Sequence, residues 1–414
     1  MKLLIITQYF PPEMGAPQAR LSELARRLQS MGHEITVLTA MPNYPTGRVF
    51  EGYRRRLRVT EQRDGMRVIR TWVWPSKSSR MLPRLFCYLS FALSCLVLGH
   101  WGIGKQNLVM IETPPLFLPP FGLLIGKLKR ARTVLMIADI WPDILVQMGH
   151  AREGPALRMM YRLERFCYEH ANGVALTTPG MWSQVRERFP HLPNVTLISN
   201  GVDTGLFRPA ARDLRVREEL GAGPDQLLVG YCGLHGLAQG LEIVLDAAER
   251  LKDRHDIRFV MIGDGPTKEA VVQKARELNL PGVRLQDQRP KSDMPAIVAS
   301  LDVSLMPLGV RIPGAMPSKV YEAMASGAVP VVAKGTDADR LLTEHQAGLS
   351  YEPGDLNGLV ECIAQLAEDR NVLRNLRQNA IQLAQRFDRR VLAERSAAVL
   401  TAIAEGRPAP PVLW

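Results

Sequence analysis

The sequence predicts an α/β protein made of two doubly wound parallel sheets, each in its own lobe. Two observations predict this. Short, continuously apolar runs alternate with segments of helical period along almost the whole chain, as parallel strands buried on both faces and their crossover helices should. The alternation then stops at the Gly-, Pro- and charge-rich stretch Asn200–Asp213 and starts again. At 414 residues the chain is long enough for two or three domains.

The elements follow in order. Leu3–Thr7 (LLIIT) reads as the first strand. A helix over Ala19–Gln29 places Leu21, Leu24, Ala25 and Leu28 on one face and stops at Gly32. Strands follow at Ile35–Thr39, Arg67–Arg70, Leu108–Ile111, Thr133–Ile137, Val174–Thr177 and Val195–Ile198. The second series begins with strand Leu227–Gly233, helix Leu241–Leu251 and strand Phe259–Gly263. It continues with helix Lys268–Leu278, strand Val283–Leu285, helix Met294–Ser300, strand Val303–Met306, helix Ser318–Ala325 and strand Val329–Ala333. Three helices near 355–368, 371–386 and 390–404 close the chain. Ligands of such sheets bind outside the carboxyl ends of the strands.

Composition narrows the class. Hydrophobic residues make up 46% and charged residues 22%, which excludes a disordered, collagenous or polytopic membrane chain. Five cysteines without a C-x-x-C pair indicate neither a disulfide framework nor a zinc site and suit a reducing compartment. The N-terminus reads as a buried strand, not a signal peptide.

Charge is uneven. Residues 1–207 hold 26 Lys and Arg against 14 Asp and Glu, and residues 208–414 hold 26 against 27. The first half is therefore expected to face an anionic surface. Its cations cluster at Arg54–Arg56 with Arg58, at Lys77, Arg80 and Arg84, and at Lys127, Lys129, Arg130 and Arg132. No aromatic interleaving of the nucleic-acid-binding kind accompanies them, so an anionic membrane is expected and nucleic acid is not. Leu85–Gly104 carries no charged residue. Strands on both sides of it should share one sheet, so it is read as either a core helix or an interfacial helix.

Three turns carry candidate chemistry. Pro11–Ala16 joins the first strand to the first helix, and its small residues let backbone N–H groups approach an anion. Gly233–Gly240 does the same in the second half, yet it fits neither the dinucleotide fingerprint nor the P-loop. The third segment, Pro313–Gly327, places Ser318 as a helix cap with Lys319 as a cation and Glu322 one turn on. Ser318 and Lys319 would cradle a diphosphate, and Glu322 would accept both hydroxyls of a ribose. Asp337-Ala338-Asp339 has the spacing of a divalent-cation site, but Asp337 is read as a helix N-cap.

The sequence resembles the family 4 glycosyltransferases of the GT-B fold, in particular the WbuB-like, colanic-acid-type polysaccharide branch. The carrying motifs are the N-terminal block from Gln8 to Gly47, ADIWPD at Ala138–Asp143, SNGVDTGLF at Ser199–Phe207, GDGP at Gly263–Pro266 and PSKVYEAMASGAVPVV at Pro317–Val332. The resemblance implies an acceptor-binding domain over 1–207, on which the last helix packs back, and a nucleotide-sugar-binding domain over 208–389. It implies a retaining transferase that takes a nucleotide-diphosphate sugar, UDP-linked, without metal or other cofactor. The acceptor it implies is a lipid-linked sugar or glycan in surface-polysaccharide synthesis, which places the protein at the cytoplasmic face of the membrane.

Residue by residue, Glu322 matches the second glutamate of the family's E-x7-E motif, while the first would fall at Gly314. The usual basic pair would fall at Leu234 and Gln239. Lys319, Arg289 and His235 are the expected replacements, with Gly233 and Pro317 beside them. Gly15 and Ala16 match the pair that approaches the diphosphate, and Asp139 an acceptor-side position. Lys319 and Asp139 are the residues expected to act in the reaction: Lys319 would stabilise the leaving diphosphate. Met316 and Ala315 point toward a deoxy or acetamido sugar. The competing readings are a nucleotide-sugar epimerase or hydrolase on the same fold, and a catalytically silent membrane scaffold.

Overall fold

A computed structural model describes residues 1–414 except Met14, Ser79, Arg80, Met148, His150, Ala211, Arg212, Pro313 and Leu413; for Ala16, Pro17 and Met81 it describes the backbone alone. The expected contributions of Arg80 to a basic cluster and of Pro313 to the third turn lie outside the described residues, as do parts of the first turn and the linker.

The chain divides into two compact units, Met1–Ser199 with Arg390–Trp414, and Asn200–Arg389. The expected boundary was Phe207/Arg208; residues 200–207 instead join the second unit, where Val202 bridges to Asp388 and Thr204 donates to the Asp388 carboxylate.

The first unit holds an eight-stranded sheet. Its strands are β1 (Lys2–Ile6), β2 (Glu34–Ala40), β3 (Arg58–Arg63), β4 (Met66–Thr71), β5 (Leu108–Thr113), β6 (Arg132–Ile137), β7 (Gly173–Leu176) and β8 (Val195–Leu197), ordered β3-β4-β2-β1-β5-β6-β7-β8. All pair in parallel except β3, which runs antiparallel to β4 at the edge. Leu3, Leu4, Ile5 and Ile6 are fully buried, at about 1.5–3 kcal/mol each. This is why β1 is apolar on both faces. The final helix, Arg389–Glu405, seats Val399, Leu400 and Ile403 in the core of this sheet with Leu3, Ile5 and Val37.

The segment expected to be either a core helix or an interfacial helix has one buried face and one exposed face. Helix Met81–Ser94 runs into a π-helical turn, Cys95–Gly99. Cys87, Phe91, Ala92 and Cys95 are buried, while Leu82, Phe86, Leu89, Leu93 and Val97 are exposed. By length and composition Leu82–Gly99 could cross a membrane. The strands that flank it, β4 and β5, lie in one sheet.

The second unit holds six parallel strands: β9 (Leu227–Cys232), β10 (Ile257–Ile262), β11 (Val283–Gln286), β12 (Val303–Met306), β13 (Val329–Ala333) and β14 (Leu349–Tyr351), ordered β11-β10-β9-β12-β13-β14. The chain reverses its winding between β9 and β12, so loops leaving these two strands diverge and open a crevice at their carboxyl ends. Asp302 locks the pair at the other end. Its backbone N–H donates to the Leu228 carbonyl (2.9 Å), its carboxylate accepts from the Leu228 N–H (3.0 Å), and the fully buried Arg217 guanidinium pairs with it at 3.1 Å.

Asp337 is not a helix cap. Thr336 takes that position, its hydroxyl accepting from the Asp339 N–H, while the Asp339 carboxylate accepts from the Gly335 N–H at 2.9 Å. The Thr336 cap satisfies the orphan Asp339 N–H, the Asp339 carboxylate ties down the residue before the cap, and Asp337 falls in the first helical turn.

Candidate functional site

The second unit's site grows from the turn after β9. Gly233 leaves the strand with its N–H donated to Ile262 O (2.8 Å), His235 N–H donates to Asp264 O (2.9 Å), and Thr267 N–H donates to His235 O (3.0 Å). The two Gly-rich turns are thereby laced together. Their glycines are required by contact. A Cβ on Gly263 would lie 1.7 Å from the Gly233 carbonyl oxygen, and one on Gly265 would lie 2.4 Å from the His235 carbonyl oxygen.

The loop after β12 brings in helix Ser318–Ser326. Ser318 is its first residue; Pro317 occupies the cap with extended backbone and no side-chain bond. Proline has no side-chain oxygen to accept a capping bond, so the helix N-terminus presents the Ser318 and Lys319 N–H groups without intrahelical partners. This corrects the expectation of a Ser318 cap and leaves the helix N-terminus uncapped by a side chain.

The Lys319 ammonium lies 5.0 Å from the centre of the Tyr231 ring and 1.4 Å from where a Cβ on Gly233 would be. Burial lowers its pKa, opposed by Cys232 and Glu322. Burial raises that of Glu322, opposed by Arg389, Lys319 and Lys291. Lys319 and Glu322 thus feel each other's charge, one turn apart on the helix.

His235 is fully buried and both its ring nitrogens lack a hydrogen-bond partner. Burial, then the Lys268 charge, lowers its pKa, so the ring is held neutral. It is a wall of the turn, with its ring against the Gly263 position. Arg289 is held in ion pairs with Glu219 (2.7 Å) and Asp293 (3.7 Å). Position 314 has φ +77°, a left-handed conformation that favours glycine over glutamate.

The sequence reading missed Tyr231 and Lys268. Lys268 donates to the carbonyls of Gly263 (3.1 Å) and Gln286 (2.7 Å) and braces the second turn from below. A tyrosine one residue before the strand's last position was the available signal for the first; nothing in the sequence marked the second.

The first unit carries its own turn. Gly15 precedes helix Ala16–Ser30 and lies in extended conformation, close enough to Gln18 that a Cβ would meet its Oε1 at 2.3 Å. Glu13, also unforeseen, is buried; its carboxylate accepts N–H bonds from Asn43 and Tyr44 (2.8 Å each) and Phe10 (3.2 Å). The fully buried Arg70 donates to the Pro11 and Ala40 carbonyls and pairs with Glu61 at 2.8 Å. Beside this turn, Glu112 at the end of β5 accepts from Thr7 Oγ1 (2.5 Å) and pairs with Arg20 (2.6 Å). Asp139 is exposed just beyond β6.

Two family models cover the two units in turn. A "Glycosyl transferase 4-like domain" matches residues 15–201, and "Glycosyl transferases group 1" matches residues 214–383. The chain belongs to the family 4 glycosyltransferases. This glycosyltransferase is 28% identical over 381 residues to WcaI of Escherichia coli K12, provisionally named a colanic acid biosynthesis glycosyl transferase, covering 88% of this chain and 92% of WcaI. It is 24% identical to the sulfoquinovosyl transferase SQD2 of Arabidopsis thaliana, over 89% of this chain and 67% of SQD2. The crystal structure of Anabaena Alr3699/HepE in complex with UDP-glucose matches its fold with a TM-score of 0.72 at 19% identity, covering 97% of this chain and all of that one. The fold of this glycosyltransferase is accordingly GT-B.

Proposed function

We propose that this glycosyltransferase moves a sugar, with retention, from a UDP-linked donor to a lipid-linked or glycan acceptor in cell-surface polysaccharide synthesis. The reading places it at the cytoplasmic face of the membrane. The observation that carries it is a helix N-terminus whose Ser318 and Lys319 N–H groups have no intrahelical partner, with the Lys319 ammonium turned to the Gly233 position beside Tyr231 and Glu322 one turn on. Oriented amides and a half-desolvated cation stabilise a departing diphosphate with little reorganisation. In this reading Lys319 serves where the family's basic pair is absent, no metal is used, and Glu322 accepts the ribose hydroxyls. Gly15, Ala16 and Asp139 take the diphosphate-side and acceptor-side roles that their motif positions imply. The names of HepE with UDP-glucose and of WcaI support the donor class and the polysaccharide setting.

The test is ligand-induced thermal stabilisation with a panel of UDP- and GDP-sugars, followed by transfer assays. A UDP-sugar is expected to stabilise the protein, and Glu322→Ala to weaken UDP binding at least tenfold. Undiminished UDP binding by Glu322→Ala would remove the ribose assignment. Release of free sugar with no transfer to any acceptor would make the enzyme a hydrolase.

A further inference from the structure

The exposed side of helix Met81–Ser94 and its π-helical extension is a continuous apolar stripe. Leu82, Phe86, Leu89, Leu93 and Val97 are spaced by four, three, four and four residues, and each is 37–67% exposed. That spacing keeps them on one face, along about 22 Å of helix. The opposite face is fully engaged in the core, so this exposure does not reflect a helix without a seat.

Three of the six tryptophans surround the stripe. Trp72 and Trp74 are exposed and in edge-to-face contact with ring centres 6.5 Å apart. Both are tied to the helix: Ser90 Oγ accepts from the Trp74 N–H (2.9 Å), and Ser94 Oγ donates to the Trp72 carbonyl. Trp101, 65% exposed, closes the far end, its indole N–H donating to Val97 O at 2.8 Å. Indoles with an apolar body and a polar edge suit the boundary between hydrocarbon and water.

The charge around this face is mainly positive, with the exposed Glu51 beside Arg54 as an exception. No Asp or Glu occurs between Gly65 and Ile111. Arg54, Arg55, Arg56, Lys77, Arg84 and Lys105 are exposed around it, and Leu57, 64% exposed, sits among them, its carbonyl accepting from the Trp72 N–H.

We infer that this face is a monotopic docking surface for an anionic lipid bilayer, with the helix lying in the interfacial plane, Leu82 to Val97 below the headgroups and the arginines at headgroup level. A second copy of the chain is a poor occupant, because an isologous contact would bring the same cations against one another. An anionic leaflet complements them. The inference deepens the membrane part of the proposed function, but lipid binding and donor binding are read separately, so either can fail alone.

The experiment is flotation of the full chain with phosphatidylcholine vesicles, with and without one-quarter phosphatidylglycerol. At least tenfold more protein should float with the anionic vesicles. Leu82→Ser/Phe86→Ser and Arg54→Gln/Arg55→Gln/Arg56→Gln should each lose at least five-fold, while UDP-sugar stabilisation stays at the wild-type level and shows that both variants are folded. Brominated lipid should quench tryptophan emission less in Trp74→Phe/Trp101→Phe. Wild-type flotation by either multiple variant, no preference for anionic vesicles, or a lipid-free dimer that the Leu82/Phe86 variant dissolves would each overturn the inference.

Discussion

Lys319 and Gly233 occupy one space: the lysine ammonium stands where any other residue at 233 would put its Cβ. The strand β9 is therefore followed by glycine because a cation from another element must be seated against the Tyr231 ring. Sequence, packing and charge placement meet at this pair.

The relationship orders three substitutions. Gly233→Ala meets the far end of a flexible side chain, so the fold should survive with Lys319 displaced. Transfer activity should fall at least tenfold. All three glycines share a positive φ, so the melting temperature should drop here too, but less than in the other two variants. Gly263→Ala and Gly265→Ala meet backbone oxygens that cannot swing away and should destabilise by several kcal/mol, in line with overpacking of a rigid site (~1–3 kcal/mol or more). Calorimetry beside kcat/KM separates the two cases; equal melting temperatures for all three would refute the ordering.

Glu13 should be a positioning residue of the first turn. Burial pushes its pKa up, against the pull of N–H groups from Asn43, Tyr44 and Phe10. Glu13→Ala strands these donors, at about 1–3 kcal/mol for a buried group left unmade. Glu13→Gln keeps one acceptor oxygen and should lie between it and wild type. Urea unfolding followed in the first unit checks the order, and a Glu13→Ala variant as stable as wild type would contradict it.

A pH effect should come from Glu164. Its side chain is fully buried against Arg188, which also pairs with Asp143 at 2.7 Å. Desolvation raises the Glu164 pKa from 4.5 to about 7, against the pull of Arg188. Between those values the folded protein holds a proton that the unfolded chain has lost. The contribution of this group to stability therefore declines as pH rises from about 4.5, and the decline is complete above about 7. Melting temperatures from pH 5 to 8 should show this slope, and Glu164→Gln should flatten it. An unchanged slope in the variant would assign it to other groups.

The edge strand β3 and the last strand β14 show where linear reading fails. Arg58–Arg63 is almost wholly polar and alternates between exposed and half-buried positions, so it looks like a basic surface segment until β4 is found beside it. Leu349–Tyr351 spans three residues, too few for a periodic signal. Both are strands because a neighbour's backbone offers hydrogen bonds, a property that no local pattern carries.

The amino-acid sequence by itself determined the buried parallel strands, the positions of the Gly-rich turns, the charge split and the family motifs, because continuous apolar runs, glycine and helix-period spacing are local properties of the chain. Tertiary structure alone decided that Thr336 rather than Asp337 caps its helix, that Arg289 is tied to Glu219, that Glu13 holds the first turn, and that half of an apolar helix is left outside the core. Apart from the local Thr336 cap, each of these depends on which groups meet across long stretches of chain, where hydrogen-bond partners, close contacts and burial are set by the packing of whole sheets.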